Sequence, residues 1–331
     1  MKYSIILPVR NGGEYVKECV HSILSQTLND FNLIVLDNCS TDGTLQWIQS
    51  LHDERIIIYP SGKALTIEEN WARIKDVKKN EFMTLIGHDD ILKPNFLSVI
   101  SSLINNYPDA SLYHTHFDYI GSKGEIIKQC RPMPKKLNSG EVLKNFLETN
   151  IDMMGTGYAM RSNDYDSVGG IPAYPNLLFA DFELWFRLIS KSFFAVAKEN
   201  CFQFRIHQSM TTTSSDKKML QAFYQFAEFL EGLKKDGNLK KIVEGNVSPL
   251  LKFYCKGLTH RMLRTPLEER DGIFVKDVIS DFKILGKRLS PSNPFNPFKT
   301  FSIRLGYFID SNSATRSLFL LFKKIFPKPI L

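Results

Sequence analysis

Phe82-Met83-Thr84-Leu85-Ile86-Gly87-His88-Asp89-Asp90 is an apolar run that ends on two adjacent carboxylates. Its opening residues are short, apolar and followed by a glycine, as in a buried strand, and a new helix follows Lys93-Pro94. Strand ends of this kind are where open α/β sheets place their ligands. Adjacent carboxylates repel each other unless a cation or a rich set of donors compensates them. A divalent metal gripping a phosphate-bearing substrate supplies such compensation, because hard cations take carboxylate and phosphate oxygens. In isolation the pair also fits a plain turn, so its meaning rests on the chain around it.

Working outward, residues 4–9, 31–36 and 56–59 are further apolar strands, with 82–86 the fourth. Tyr15, Val16, Cys19, Ile23 and Leu24 give helical spacing over 15–26. A second helix, with Ser40 or Thr41 as its cap, runs to about residue 50, and a third covers 67–78. Strands separated by such helices imply βαβ units and a parallel sheet, and right-handed crossovers bring the four strand ends to one edge.

Beyond residue 106 the pattern changes. Residues 111–119 read as a strand, and Gly121-Ser122-Lys123-Gly124 as a hairpin turn into 126–130. Ser139 is the expected cap of a helix reaching 149, with Glu141 in its first turn. Gly155-Thr156-Gly157 precedes a short strand ending at Arg161, residues 181–190 form an amphipathic helix, and 193–204 a strand. From about 215 the periodicity is helical, with a Pro- and Asn-rich break at 290–297.

A hydrophobic content of 43% and a charged content of 23% over 331 residues suit a globular chain with one large domain and an appendage, or two modest domains. No stretch approaches the roughly 18 apolar residues of a membrane span, and the start lacks a signal-peptide h-region. Five scattered cysteines without a CxxC pair fit free thiols in a reducing cytoplasm. The net charge of +7 is uneven: residues 1–214 carry 21 Lys and Arg against 24 Asp and Glu, and 215–331 carry 21 against 11. A basic last third, ending in the Phe-, Leu- and Lys-bearing stretch 317–326, points to an anionic surface, either membrane or nucleic acid, although on charge alone a solvated basic helical region is the plainer reading.

The absence of GxxxxGK[ST], and of GxGxxG after the first strand, argues against a P-loop NTPase and a dinucleotide-binding domain. What the strand ends offer is Pro8-Val9-Arg10-Asn11, Asp37 and Asp89-Asp90. A carboxylate such as Asp37 accepts from a base N–H or a ribose hydroxyl, although a turn or helix cap is its plainer role in isolation. A metal on the aspartate pair reverses the sign of a site that otherwise repels a diphosphate.

In order and spacing these pieces resemble the opening of family 2 glycosyltransferases. The likeness lies in residues 4–11, in Ser22-Ile23-Leu24-Ser25-Gln26-Thr27, and in Leu33-Ile34-Val35-Leu36-Asp37-Asn38-Cys39-Ser40-Thr41-Asp42-Gly43-Thr44. Glu69-Asn70-Trp71 and His88-Asp89-Asp90 continue it, and it spans residues 3–210. The resemblance implies a GT-A (Rossmann-like) α/β fold: a mixed, mainly parallel sheet flanked by helices, with a helical C-terminal extension. The expected domains are 1–214, with 1–106 the nucleotide-binding and 107–214 the acceptor half, and a basic helical region at 215–331.

By the same resemblance Pro8, Val9, Arg10, Asn11, Asp37, Asn70 and Asp89 bind the nucleotide sugar, with Pro8 and Asp37 on the base, usually uracil. Asp90 is the implied ligand of Mn²⁺ or Mg²⁺. The chain departs from the fuller DxDD form, since Gly87 and His88 stand before the pair. Ala180-Asp181-Phe182-Glu183-Leu184-Trp185-Phe186-Arg187-Leu188 resembles the segment that carries the general base. Ala180 replaces a glutamate there and Asp181 keeps the base position, where a helix N-terminus favours its ionised form. A plain N-cap is the other role for Asp181, Glu183 is the fallback base, and Trp185 fits the core. Arg205-Ile206-His207-Gln208-Ser209 resembles a segment whose histidine lies near the metal or diphosphate, which makes His207 a candidate ligand. Gly155-Thr156-Gly157 and Gly169-Gly170-Ile171-Pro172 look like acceptor-side loops, and Lys63 is either a phosphate partner or simply an exposed lysine.

The expected function is an inverting, single-addition transferase in surface polysaccharide synthesis. It moves a sugar from a nucleotide-sugar donor, UDP-sugar favoured, to a hydroxyl of a glycan or lipid-linked acceptor. The expected location is the cytoplasm, with the C-terminal region against the inner face of the cell membrane. The QxxRW segment and membrane spans of processive synthases are absent. A nucleotide-sugar-binding or nucleotidyl-transferring protein is the alternative, and nucleic acid ranks last because no such motif accompanies the basic region.

Overall fold

Every residue of Tyr3–Val9 (β1) and Phe31–Asp37 (β2) is buried, as parallel strands covered on both faces require. With Ile56–Ile58 (β3) and Phe82–Leu85 (β4) they pair in the order β3-β2-β1-β4, all parallel. The crossovers run through Gly13–Leu24 (α1), Thr44–Ser50 (α2) and Ile67–Ala72 (α3). Helix α1 turns Val16, Cys19, Val20 and Ile23 inward, one stripe at helical spacing. The computed structural model describes residues 1–206, 216–270 and 272–325.

The chain then supplies Ile91–Leu92 (β5), Phe96–Asn106 (α4), Leu112–Ile120 (β6), Ile126–Gln129 (β7), Lys136–Leu137 (β8) and Ser139–Leu147 (α5). Ala159–Arg161 (β9), Ser162–Ser167 (α6), Ala180–Ile189 (α7) and Phe194–Arg205 (β10) follow. The sheet continues β4-β9-β6-β10-β5, with β7 on β6 and β8 on β10. Strand β9 lies antiparallel between β4 and β6, while β10 is parallel to β6. The result is a mixed, mainly parallel α/β sheet with a helical C-terminal region, the GT-A architecture.

Local chemistry departs from expectation at three points. Helix α2 is capped by Gly43 at φ +90° and not by Ser40 or Thr41, because Ser40 Oγ accepts from the Asn11 N–H and Asp42 Oδ1 takes the Thr44 N–H. Helix α5 is capped by Asn138, whose side chain accepts from the Glu141 N–H while Glu141 reaches back to the Asn138 N–H, so Ser139 is not the cap. Helix α3 ends at Ala72 and tightens into a 3₁₀ turn at Arg73–Lys75.

Contacts divide the chain into two units, residues 1–142 with 151–213, and residues 143–150 with 214–331. The second is helical: Asp216–Leu233 (α8), Gly237–Arg264 (α9), Val275–Leu289 (α10), Phe301–Asp310 (α11) and Ser313–Ile325 (α12). Its core packs Phe223 against Phe282 at 5.0 Å between rings, with Leu251 and Leu258 buried. All five cysteines are free, and among the described residues no helix is long and apolar enough to cross a membrane.

Gly157 sits at φ +84°, its N–H donating to Leu85, and a methyl group on it would stand 2.9 Å from Phe202 and 3.0 Å from His114. Gly157→Ala therefore combines a left-handed backbone with overpacking and costs about 2–4 kcal/mol. A clear fall in the urea midpoint is expected; an unchanged midpoint contradicts the packing described.

Candidate active site

Topology gathers the polar residues at one edge of the sheet. Val9, Asp37 and the turn after Leu85 lie at the C-terminal ends of β1, β2 and β4. Because β9 is antiparallel to β4, it delivers the residues before its start to this edge, and the Gly157 N–H bonds Leu85 there. Strand β10 runs parallel to β6 and brings Arg205 to the same edge.

At the β2 end Asp37 is buried, and its Oδ2 accepts from the Ser40 N–H at 3.2 Å. Its Oδ1 has no partner among the described residues, an arrangement that costs stability unless a ligand donor meets it. Asn11, at φ +51°, ties the β1 loop to the next one: its N–H donates to Ser40 Oγ and its Oδ1 accepts from the Thr41 N–H. Pro8 and Val9 are buried in the strand, and Arg10 is exposed beside them. Asn70 is buried, donates to Leu36 O and accepts from Arg73, so its side chain supports the β2 end from within the protein. Arg73 also reaches Asp37 O and Tyr59 O. Lys63 is exposed on a loop whose Leu65 is held by both side-chain atoms of Asn38.

The aspartate pair folds over Gly87. A methyl there would stand 2.6 Å from Asp89 Oδ1 and 3.0 Å from Asp90 Oδ2, so glycine leaves room for both carboxylates to converge. Asp90 is 1% exposed; Thr156 Oγ1 donates to its Oδ2 at 2.5 Å and the Arg205 N–H to its Oδ1 at 3.1 Å. Burial, then the charge of Asp89, pushes the Asp90 carboxyl well above the usual range, against the pull of those two donors. Beneath the turn the buried Cys19 thiol donates to Gly87 O at 3.4 Å.

Arg205 is 2% exposed and anchors this turn. Its guanidinium donates to Asp89 O at 2.8 Å, to Gly121 O at 3.0 Å and to Glu18 at 2.5 Å, and it lies over the Tyr15 ring.

Asp181 stands in the first turn of α7, but Phe179, at φ +69°, is the N-cap, and no side chain caps the helix. The plain N-cap role is therefore excluded for Asp181. Its Oδ1 accepts from the Phe182 N–H at 2.8 Å. The helix start alone favours the ionised form, yet burial outweighs the N–H donors and raises the carboxyl to about 6. A methyl at Gly155 would stand 3.5 Å from Asp181 Oδ2. Consecutive residues Gly155 and Thr156 thus lie beside Asp181 and bond Asp90, respectively. Glu183 faces elsewhere, with Tyr174 OH on one carboxylate oxygen and Arg187 on the other. Trp185 is fully buried, donates to Met154 O at 2.9 Å and stacks on Tyr158, supporting the same loop.

His207 lies outside the described residues. Among those described, no group of three or more His, Cys, Asp or Glu converges as a metal site. Sequence reasoning missed the Thr156 bond to Asp90 and the Arg73 support of Asp37. The second had a signal, the i,i+3 spacing of Asn70 and Arg73 on one helix face; the first joins residues 66 apart and had none.

Residues 4–168 match the family described as Glycosyl transferase family 2. Over 262 residues the chain is 24% identical to a glycosyltransferase of Rickettsia typhi, covering 78% of this chain and 77% of the relative. It is 25% identical over 236 residues to Bacillus subtilis TuaG, a glycosyltransferase whose name assigns it provisionally to teichuronic acid biosynthesis, with 68% and 87% covered. The crystal structure of S. aureus TarS in complex with UDP-GlcNAc shares the fold, with a TM-score of 0.68 at 15% identity over 87% of this chain and 82% of that one. Family match, relatives and fold agree that this chain is an enzyme and belongs to glycosyl transferase family 2.

Proposed function

We propose that the chain is an inverting glycosyltransferase that adds one sugar from a UDP-sugar to a hydroxyl of a glycan or lipid-linked acceptor in surface polysaccharide synthesis. The observation that carries this reading is the convergence, at one sheet edge, of an unpartnered Asp37 oxygen, a crowded aspartate pair and a carboxylate tuned to about 6. Asp37 Oδ1, which meets no donor among the described residues, suits an N–H of the base. TarS has been solved with UDP-GlcNAc and with UDP, which supports a uridine nucleotide on this fold.

The aspartate pair fits a divalent ion. Its two carboxylates converge over Gly87, and the Arg205 guanidinium is committed to the Asp89 carbonyl, to Gly121 and to Glu18 rather than to either carboxylate. Asp90, with Asp89 beside it, would hold Mn²⁺ or Mg²⁺, an ion of the kind bound through one or two carboxylates plus substrate phosphates. When bound, such an ion offsets the negative charge of the diphosphate. Thr156 orients the Asp90 carboxylate, and Arg205 holds the turn that presents it.

Asp181 is the base. Its carboxylate takes the proton of the acceptor hydroxyl as that oxygen forms a bond to the anomeric carbon. The bond from that carbon to the nucleoside diphosphate breaks, and its electron pair leaves with the phosphate oxygen. Attack on the face opposite the leaving group inverts the anomeric configuration.

Asp181→Asn is expected to keep UDP affinity while turnover falls by roughly 10²–10⁴-fold, measured as UDP release and calorimetric binding. Joint loss of both, or turnover retained, contradicts the assignment. Wild-type turnover should fall as pH drops through about 6, because a base with a raised pKa is protonated below it. A flat profile across that value removes Asp181 from the role. Thr156→Val should weaken metal-dependent UDP binding by about 10–100-fold, the usual cost of an outer-sphere partner; unchanged metal dependence contradicts the orienting role.

A further inference from the structure

Helices α11 and α12 present apolar stripes outward. Leu318, Leu321, Phe322 and Ile325 recur at i, i+3, i+4 and i+7 and are 51–68% exposed, and no residue of α12 is buried. A stripe with that spacing ordinarily faces a core. Helix α11 is apolar on two sides. Ile303 and Gly306 are buried, and Gly306 lies so near Thr259 of α9 that a methyl there would stand 2.3 Å from its Cγ2. Phe301, Leu305 and Phe308 remain exposed. Of the fifteen large apolar side chains exposed among the described residues, eight fall between Phe301 and Ile325.

The arrangement is anchored. Asp310, at the end of α11, accepts from Arg270 at 2.7 Å and from the Val275 N–H at 2.9 Å, and Arg316 of α12 donates to it at 3.1 Å. Residues 290–325 carry five Lys and Arg and one carboxylate, and that carboxylate is the buried Asp310. Exposed charge on this segment is therefore positive only. Beside it a cavity of about 550 Å³ between α9, α11 and α12 is lined by His260, Arg261, Arg264 and Lys323, with Glu269 its carboxylate. A second copy of this chain would set like charges against each other, whereas anionic lipid headgroups match the charge and the acyl boundary matches the stripes.

We propose that α11 and α12 form a docking surface for an anionic lipid bilayer, with the apolar stripes entering the interface and Arg264, Arg304, Lys323 and Lys324 meeting headgroup phosphates. The proposal rests on the helical unit alone and is independent of the donor-site reading.

The test is co-sedimentation of the full chain with phosphatidylcholine vesicles, with and without phosphatidylglycerol. Wild type should partition at least about tenfold more onto the anionic vesicles, and added salt should release it. Leu318→Asp with Phe322→Asp, both at exposed positions, should lower that partition about tenfold or more with an unchanged circular dichroism spectrum. The proposal is overturned if wild type stays in the supernatant at low salt, or if the double variant partitions like wild type. It is also overturned if light scattering shows a dimer that the double variant dissolves while neither protein binds vesicles.

Discussion

The buried guanidinium of Arg205 is the constraint on which the active-site edge depends. A charge at 2% exposure is tolerated only when its donors are satisfied, and here they reach the Asp89, Gly121 and Ser122 carbonyls and the Glu18 carboxylate. One side chain therefore joins the β4 turn, the β6–β7 hairpin and α1. Its own N–H completes Asp90. Neutralising it leaves the Gly121 and Asp89 carbonyls without this donor and frees the turn that carries both aspartates.

The antiparallel strand β9 is the second determinant. In a purely parallel sheet the segment before β9 would lie at the far edge. Reversed, it sets Gly155 beside Asp181 and Thr156 against Asp90, so one short loop links the two carboxylates. The stacked rings of His114, Tyr158 and Trp185 form the floor of this loop, and burial lowers the His114 pKa to about 3, so the imidazole stays neutral there. Glycine at 157 is a packing requirement as well as a turn preference.

Much of the α/β half was legible because buried parallel strands read as continuous apolar runs and their helices carry a clear stripe. The runs at 4–9, 31–36 and 82–86 became strands within a residue or two of the expected bounds. Caps were less legible: Ser40, Thr41 and Ser139 all have suitable side chains, but the neighbouring β1 loop claims the Ser40 hydroxyl, leaving Gly43, and Asn138 forms a reciprocal capping box with Glu141. The residue types at Asp37, Asp89, Asp90 and Asp181 were visible, but their electrostatics were not. A helix start suggests an ionised Asp181, and only three-dimensional burial shows that desolvation wins. Arg205 stood out only as the first residue of the segment whose histidine is the candidate ligand, and no local pattern marks it as the anchor of a turn more than a hundred residues earlier.

The most direct measurement is a crystal structure of the chain with UDP and Mn²⁺. The account predicts uracil within hydrogen-bond reach of Asp37 Oδ1, the diphosphate and the ion at Asp89 and Asp90, and an open path from the β-phosphate to Asp181. A nucleotide bound away from the ends of β1, β2 and β4, or an ion held without Asp90, would contradict it.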